Sequence, residues 1–173
     1  MPPFSGSATA LHHAVGTWTL AGPTTAGFSV GNLGRRVGGT IPVTSAQVDV
    51  AEDGSVAGVS AVLNIDAIAT GHARRDKDLR KPSLLDLANH PRLTFSGAEV
   101  TPYEGGWRIT GLLTAKGTTR GIILTATAQE QNDGTMRVRA TGQLDRRHYG
   151  VKAPRFLIGR LVDLEIDAAL QRR

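Results

Sequence analysis

From residue 14 onward, apolar and polar side chains alternate with a period of two through most of the chain. That period puts one face of a strand in a dry interior and the other in water. Residues 17–21 form a short first strand containing Trp18. Gly22-Pro23 turns it, and 26–31 makes a second, with Phe28 and Val30 on one face. Residues 32–39 read as a loop carrying Arg35 and Arg36. Residues 40–43 and 46–50 are strand-like, and Pro42 argues for an edge or a bulge because it donates no ladder hydrogen bond. Glu52-Asp53-Gly54 has a hairpin signature. After it, Val59, Ala61, Leu63, Ile65 and Ala67 share one face. Ser60, Asn64 and Asp66 share the other, with Val62 the exception. The same alternation returns in 92–100, in 107–115, in 122–128, in 136–144 and in 160–168, separated by turns at 103–106, 116–121 and 132–134.

One stretch breaks the pattern. Residues 70–95 hold the only dense run of charge, with Arg74, Arg75, Asp76, Lys77, Asp78, Arg80 and Lys81 in close succession. Leu79, Leu84, Leu85 and Leu87 run through and beyond it. Pro82 lacks an N–H and restricts Lys81, and it suits the first position of a second short helix. Asn89 and Pro91 end the segment. The expectation is a salt-bridged turn or helix, then a leucine-faced helical cap lying against a sheet.

Seven or more strands joined by short turns, with one helical insert, predict an all-β fold: an antiparallel, eight-stranded β-barrel capped by a short helical segment. Closure removes the exposed edges that so many strands would present. A barrel of about eight strands holds either its own side chains or one ligand. Only eight residues are Phe, Trp or Tyr. The inward faces carry Ala61, Ala67, Gly111, Ala115, Ala126, Ala128, Ala140 and Gly142, which leave space unless larger neighbours fill it. Alternation alone leaves both readings open.

The chain has 173 residues, no cysteine and a formal charge of +5. A single domain of this size buries a real core. Zero cysteine excludes disulfides and thiolate metal sites. No run of about 18 apolar residues occurs, and 1–16 carries no basic head before an apolar stretch. The expectation is a soluble, cytoplasmic protein.

Four segments resemble the YceI-like family, described as polyisoprenoid-binding proteins with a lipocalin-like barrel. Ile65-Asp66-Ala67-Ile68-Ala69-Thr70-Gly71, followed by Arg75-Asp76-Lys77-Asp78-Leu79-Arg80, is similar to a strand ending in Ser-Ile-x-Thr-Gly and then Arg-Asp-x-x-Leu-Arg. Leu84-Leu85-Asp86-Leu87, His90-Pro91 and Thr94-Phe95 resemble Phe-Phe-Asp-Val…Tyr-Pro…Thr-Phe. The run from Gly111 to Arg120 resembles Gly-x-Leu-Thr-x-x-Gly-Val-Thr, and Arg146 with Tyr149-Gly150 resembles Arg-x-x-Phe-Gly. Order and spacing hold over about 16–169. Three departures stand out. Residues 21–27 lack the family's Asp, His and Ser, Asn32-Leu33 replaces His-Leu, and Leu84 and Leu85 replace two aromatics. The small, polar, Pro/Ser-rich start is expected to be a flexible N-terminal tail, 1–13, followed by a single YceI-like barrel domain, 14–173.

The resemblance implies binding of a long prenyl chain, a polyprenyl phosphate or an isoprenoid quinone, for carriage, storage or sensing. Burial of about forty carbons at roughly 0.8 kcal/mol per methylene would exceed the roughly 18 to 21 kcal/mol at which affinities saturate. Lost chain freedom therefore offsets much of it. Candidate wall residues are Phe28, Val30, Leu63, Ile65, Leu84, Leu85, Phe95, Ile109 and Leu113. Arg75, Arg80, Lys81 and Arg146 are candidates for a head group, because an arginine fork suits phosphate or a quinone oxygen. Arg75-Asp76 and Asp78-Arg80 serve equally as an ion-pair network tying the insert to the barrel. The alternative is a non-catalytic interaction or stress-response module with a filled barrel.

No catalytic constellation, metal spacing or cofactor motif is expected. Gly27-Phe28-Ser29-Val30-Gly31 matches Gly-x-Ser-x-Gly, yet it lies inside a strand with no helix after it, so Ser29 reads as an outward strand residue. Arg137 and Arg139 lack neighbouring aromatics, and Arg108 has only Trp107 on the opposite face, which argues against nucleic acid. The cap over 79–87, with its basic flank, suits transient contact with a membrane surface. Exposed strand edges or the cap face suit a homodimer.

Overall fold

The computed structural model describes residues 11–32, 34–152 and 159–173. Their strands are β1 (Gly16–Leu20), β2 (Thr24–Asn32), β3 (Arg35–Val50), β4 (Val56–Asn64), β5 (Arg92–Tyr103), β6 (Gly106–Ala115), β7 (Thr118–Glu130), β8 (Met136–Asp145) and β9 (Leu161–Arg172). One helix, α1 (Ala73–Leu79), lies between β4 and β5. All pairings are antiparallel, and β2 pairs with both β3 and β9, so the sheet closes. The result is an eight-stave antiparallel barrel.

β1 and β2 run in the same direction and share one stave. β1 pairs with the far part of β3 and the end of β9, while β2 pairs with their other halves. Gly22-Pro23 therefore interrupts a stave and does not reverse the chain. The expected loop over 32–39 is also strand: Asn32 pairs with Arg35, leaving a two-residue connection. Pro42 sits beside a register shift between Val43 and Ser45 in the β3–β4 ladder, which satisfies the bulge that its missing N–H predicts. Because every stave is paired on both sides, the strand edges expected to serve a homodimer are consumed by closure.

Two tight hairpins take positive φ at both central residues, Glu104 and Gly105, then Lys116 and Gly117. Such turns match the right-handed twist of the flanking strands. Up-and-down alternation defines two rims. The connections β2–β3, β4–β5, β6–β7 and β8–β9 lie on one, called here the cap rim because it carries α1. The other three hairpins lie on the far rim with β1 and the end of β9.

Alternation fixes which side chains face inward. Leu63, Ile65, Leu87 and Leu93 close the cap half with Ala26, Ile41 and Val43. Phe95, Ile109, Leu113, Ile122, Ala126 and Tyr149 fill the middle. Trp18, Met136, Ala168 and Leu170 close the far half. Of the tail expected over 1–13, residues 1–10 lie outside the described residues. Leu11 donates its N–H to the Gly54 carbonyl at 2.7 Å and packs against the far cluster. Ala14, only 1% exposed, takes the Trp18 indole N–H at 2.8 Å.

Candidate functional site

The barrel interior holds a cavity of about 110 Å³ whose exposed wall is entirely apolar. Val59, Phe95, Ile109, Leu124, Ala140 and Ile166 line it at mid-barrel. Leu11, Val56, Trp107 and Met136 continue it toward the far rim. A dry cavity of about 150 Å³ admits a benzene ring, and ligand pockets commonly reach about 300 Å³ or more. The interior is therefore nearly closed.

The reason lies with the glycines. A Cβ on Gly111 would stand 2.7 Å from the Phe95 ring and 2.5 Å from the Ser96 carbonyl oxygen. A Cβ on Gly39 would meet the Phe28 ring at 2.6 Å, and one on Gly142 would collide with Leu124. Gly111 and Gly142 were expected to leave space in the wall. Instead each accepts a neighbouring side chain, so small residues here permit close packing.

Of the nine candidate wall residues, only Phe95 and Ile109 line the cavity. Leu63 and Ile65 are buried in the cap half, with Phe28 and Leu85 packed against them. Leu113 lies in the middle cluster. Val30 and Leu84 are half-buried and belong to none of the three clusters. Val59, Leu124, Ala140 and Ile166 were missed as lining residues. Their signal was present, since each stands on an alternating inward face, but alternation does not rank inward positions by depth.

The leucine cap is not a second helix. α1 ends at Leu79, where Arg80 and Lys81 close tight turns onto Lys77 and Asp78, and Pro82 cannot donate the next helical bond. Leu84 and Asp86 both donate to the Lys81 carbonyl, Leu85 to Leu79, and Leu87 to Arg80. Asp86 adopts a positive φ of 50°. The chain thus winds through turns that drop Leu87, 1% exposed, into the cap half of the barrel.

The charged candidates separate into different tasks. Arg80 clamps Asp66, donating to its carbonyl at 3.0 Å and its carboxylate at 2.7 Å. Lys81 pairs with Asp78 at 3.1 Å. Asp76 does not pair with Arg75. Its carboxylate accepts the Thr70 backbone N–H at 2.9 Å and the Thr70 hydroxyl, tying α1 back to the connection that leads into it from β4. Arg75 is half-buried, and among the described residues its side chain makes no hydrogen bond or ion pair. Arg146 is buried, and its guanidinium donates to the Gly159 and Val151 carbonyls at 2.9 and 2.8 Å. Burial pushes its pKa down. Its placement makes it an anchor of the β8–β9 connection.

Next to it, Asp145 accepts from Arg147 and Arg160 at 2.9 and 3.1 Å. The Arg147 hydrogen bond holds this carboxyl well below the usual carboxylate range, against the opposing effect of burial. Tyr149 is raised by burial, with Arg120 acting in the other direction.

A larger hollow of about 750 Å³ opens on the outside of the wall across β7, β8, β9, β2 and β3. Ser29, Thr125, Thr141, Gln143, Asp163 and Glu165 give it polar groups among apolar ones such as Ile123 and Leu164. Ser29 accepts from the Arg36 guanidinium at 2.9 Å, so it is a strand residue with a structural partner. Outward Arg137 and Arg139 share Asp167, at 2.8 and 3.1 Å. Arg108, expected to have only Trp107 nearby, lies 4.1 Å from the centroid of the Tyr103 ring. Neither arrangement interleaves free cations with stacking surfaces. Among the described residues, no helix is long and apolar enough to cross a membrane.

The model for the YceI-like domain matches residues 18–170. The chain belongs to the YceI-like family. A UPF0312 protein of Pectobacterium atrosepticum is 37% identical over 75 residues, 43% of this chain and 39% of that relative. A UPF0312 protein of Yersinia pestis is 39% identical over 66 residues, 38% of this chain and 34% of the relative. The matched part thus spans well under half the length of these relatives. BcnA of Burkholderia cenocepacia superposes with a TM-score of 0.77 at 16% identity, over 84% of this chain and 95% of that one. A polyisoprenoid binding domain from Saccharophagus degradans, implicated in plant cell wall breakdown, superposes with a TM-score of 0.67 at 13% identity, over 90% and 98%. At these identities the structures establish a shared YceI-like barrel.

Proposed function

We propose that this YceI-like protein is a non-catalytic binder of a long apolar lipid chain, with the barrel interior as the site. The observation that carries the reading is the cavity wall, which offers carbon and no hydrogen-bonding group. A chain there is stabilised by its removal from water and gains nothing from polar contacts. Family membership and the polyisoprenoid binding domain among its structural neighbours support a prenyl chain as occupant, on a polyprenyl phosphate or an isoprenoid quinone.

The closed volume sets a condition. A prenyl chain enters only if the interior widens, and the turns of 80–90, which lie outside the strand ladders, are the part of the cap rim proposed to move. Displacing Leu85 and Leu87 joins the cap rim to the mid-barrel cavity. Arg75 then stands beside the opening as a partner for a head group, and Lys81 joins it where its ion pair with Asp78 opens. Arg80 and Arg146 are committed to protein acceptors and hold the rim in shape.

The small cavity favours a second reading, a filled barrel that acts as an interaction or stress-response module. The two separate in one experiment. Native mass spectrometry of protein purified without added lipid, followed by organic extraction, should find a prenyl lipid near one per chain. Ala140→Leu places a larger side chain in the cavity wall and should reduce binding of added polyprenyl phosphate by roughly tenfold or more while the barrel stays folded. Bare wild-type protein that also ignores added prenyl lipid supports the filled barrel. Placement in the cytoplasm remains part of the proposal and is checked by cell fractionation.

A further inference from the structure

The charges of this barrel are sorted along its axis. The cap rim gathers most of the Lys and Arg: Arg35 and Arg36 begin β3, α1 and the turns after it carry five cations, Arg92 begins β5, and Lys116, Arg120, Arg147, Lys152 and Arg160 ring the remaining connections. The far rim is close to balanced: Glu52 and Asp53, Glu104, and Glu130 and Asp133 mark its three hairpins, and Arg108, Arg137, Arg172 and Arg173 stand at the strand ends beside them. The carboxylates of the cap rim are already engaged. Asp66 holds Arg80, Asp78 holds Lys81, Asp145 holds Arg147 and Arg160, Asp163 holds Arg36, and Asp76 accepts from Thr70. Among the described residues, no carboxylate pairs with Arg74, Lys77, Arg92 or Arg120.

The large apolar side chains left in water follow the same asymmetry. Leu161, 37% exposed, begins β9 on the cap rim. Leu112 and Ile123, 51% and 55% exposed, lie on the outer wall where β6 approaches and β7 leaves that rim. Leu84 is half-buried in the turn segment that follows α1's basic residues. Cations surrounding exposed aliphatic groups, with no aromatic platform for bases, match an anionic lipid surface better than a nucleic acid.

We propose that the cap rim is a docking surface for a bilayer rich in anionic lipid, with the barrel axis set upright by its own charge asymmetry. Attraction at the basic cap rim, against a far rim whose charges nearly cancel, orients the molecule before contact. The exposed leucines and isoleucine then meet the headgroup region. This docking rests on the lipid-binding reading for its purpose, since it brings the Leu85–Leu87 closure against the source of the lipid. Its geometry stands apart from that reading.

The test uses the full chain and sucrose-loaded vesicles, with sedimentation of protein as the readout, so no ligand need be bound. The expected result is binding to phosphatidylcholine vesicles containing about 30 mol% phosphatidylglycerol at low salt and none to pure phosphatidylcholine. Binding should be lost near 0.5 M NaCl, where screening shortens to a few ångström. Arg74→Glu with Lys77→Glu changes two exposed residues and should weaken binding by roughly tenfold or more. Arg108→Glu with Arg173→Glu makes the same charge change at the far rim and should leave it near wild type. Equal binding to both vesicles, no binding to either, or equal loss in both double variants overturns the proposal. So does a DNA duplex that captures the protein in preference to anionic vesicles. Vesicle binding by a protein that carries no prenyl lipid retains the docking surface and removes only its stated purpose.

Discussion

Gly111 illustrates how single residues control the interior. It stands on an inward face of β6, and its missing Cβ is the space occupied by the Phe95 ring. Gly111→Ala forces either that ring or the Ser96 carbonyl to move. The expected cost is about 1–3 kcal/mol, read as a lowered midpoint in urea unfolding at unchanged slope. An unchanged midpoint would mean that the barrel wall yields easily, which would make room for a ligand cheap to create. Leu124 over Gly142 follows the same logic. Small residues in a strand alternation mark either a void or a neighbour's seat, and only the neighbour's rotamer decides which.

Two irregular elements close the cap rim. The insert is held by Asp66–Arg80 and Thr70–Asp76, and Lys152 donates its N–H to the Ser83 carbonyl at 2.9 Å, joining the insert to the β8–β9 connection. In that connection Asp145 accepts from the Arg147 backbone and from two guanidinium groups. Its carboxyl is held below the ordinary value of 3.8 by the Arg147 hydrogen bond first of all. A group with a depressed native pKa stabilises the fold above its unfolded pKa, and that contribution fades as pH falls through the native value. Stability from this group should therefore be constant from neutral pH down to about 5 and decline below about 4. Asp145→Asn should lower stability at pH 7 and flatten the acid limb in urea titrations between pH 7 and pH 3. An acid limb identical to wild type would show that Asp145 has no such role.

At the level of the whole barrel, ligand binding and stability are linked. A lipid that binds only the folded state stabilises it by about 2.7 kcal/mol at a free concentration 100 times its Kd. Added polyprenyl phosphate, kept below its aggregation limit, should raise Tm progressively with concentration. A Tm unmoved by any prenyl chain belongs to the filled barrel. A prenyl chain bound in this small cavity would spend part of its binding energy widening the interior, so its affinity should fall short of what the buried chain area suggests.

Strand periodicity, turn chemistry and the family motifs were enough to recover the eight-stave barrel, the inward faces and the single helical insert. Each is a local property, encoded by alternation, by residues tolerant of positive φ in turns, or by a charged run ended by Pro82. What local pattern misplaced was equally specific. Residues 32–39 looked like a loop because Arg35, Arg36 and three glycines carry little strand signal, yet pairing of β2 with the start of β3 makes them strand. Gly22-Pro23 looked like a reversal, although β3 and β9 guide β1 and β2 into one stave. The leucines after Pro82 looked helical, but their carbonyl partners and the buried seat of Leu87 favour turns. The cavity lining was only partly legible for the same reason: Leu84 and Leu85 were legible as apolar, whereas the depth of Val59, Leu124, Ala140 and Ile166 depends on closure across the barrel. Local sequence determined which residues could face inward. Only the tertiary structure decided which of them meet, because filling or leaving a void depends on side chains brought together from distant strands.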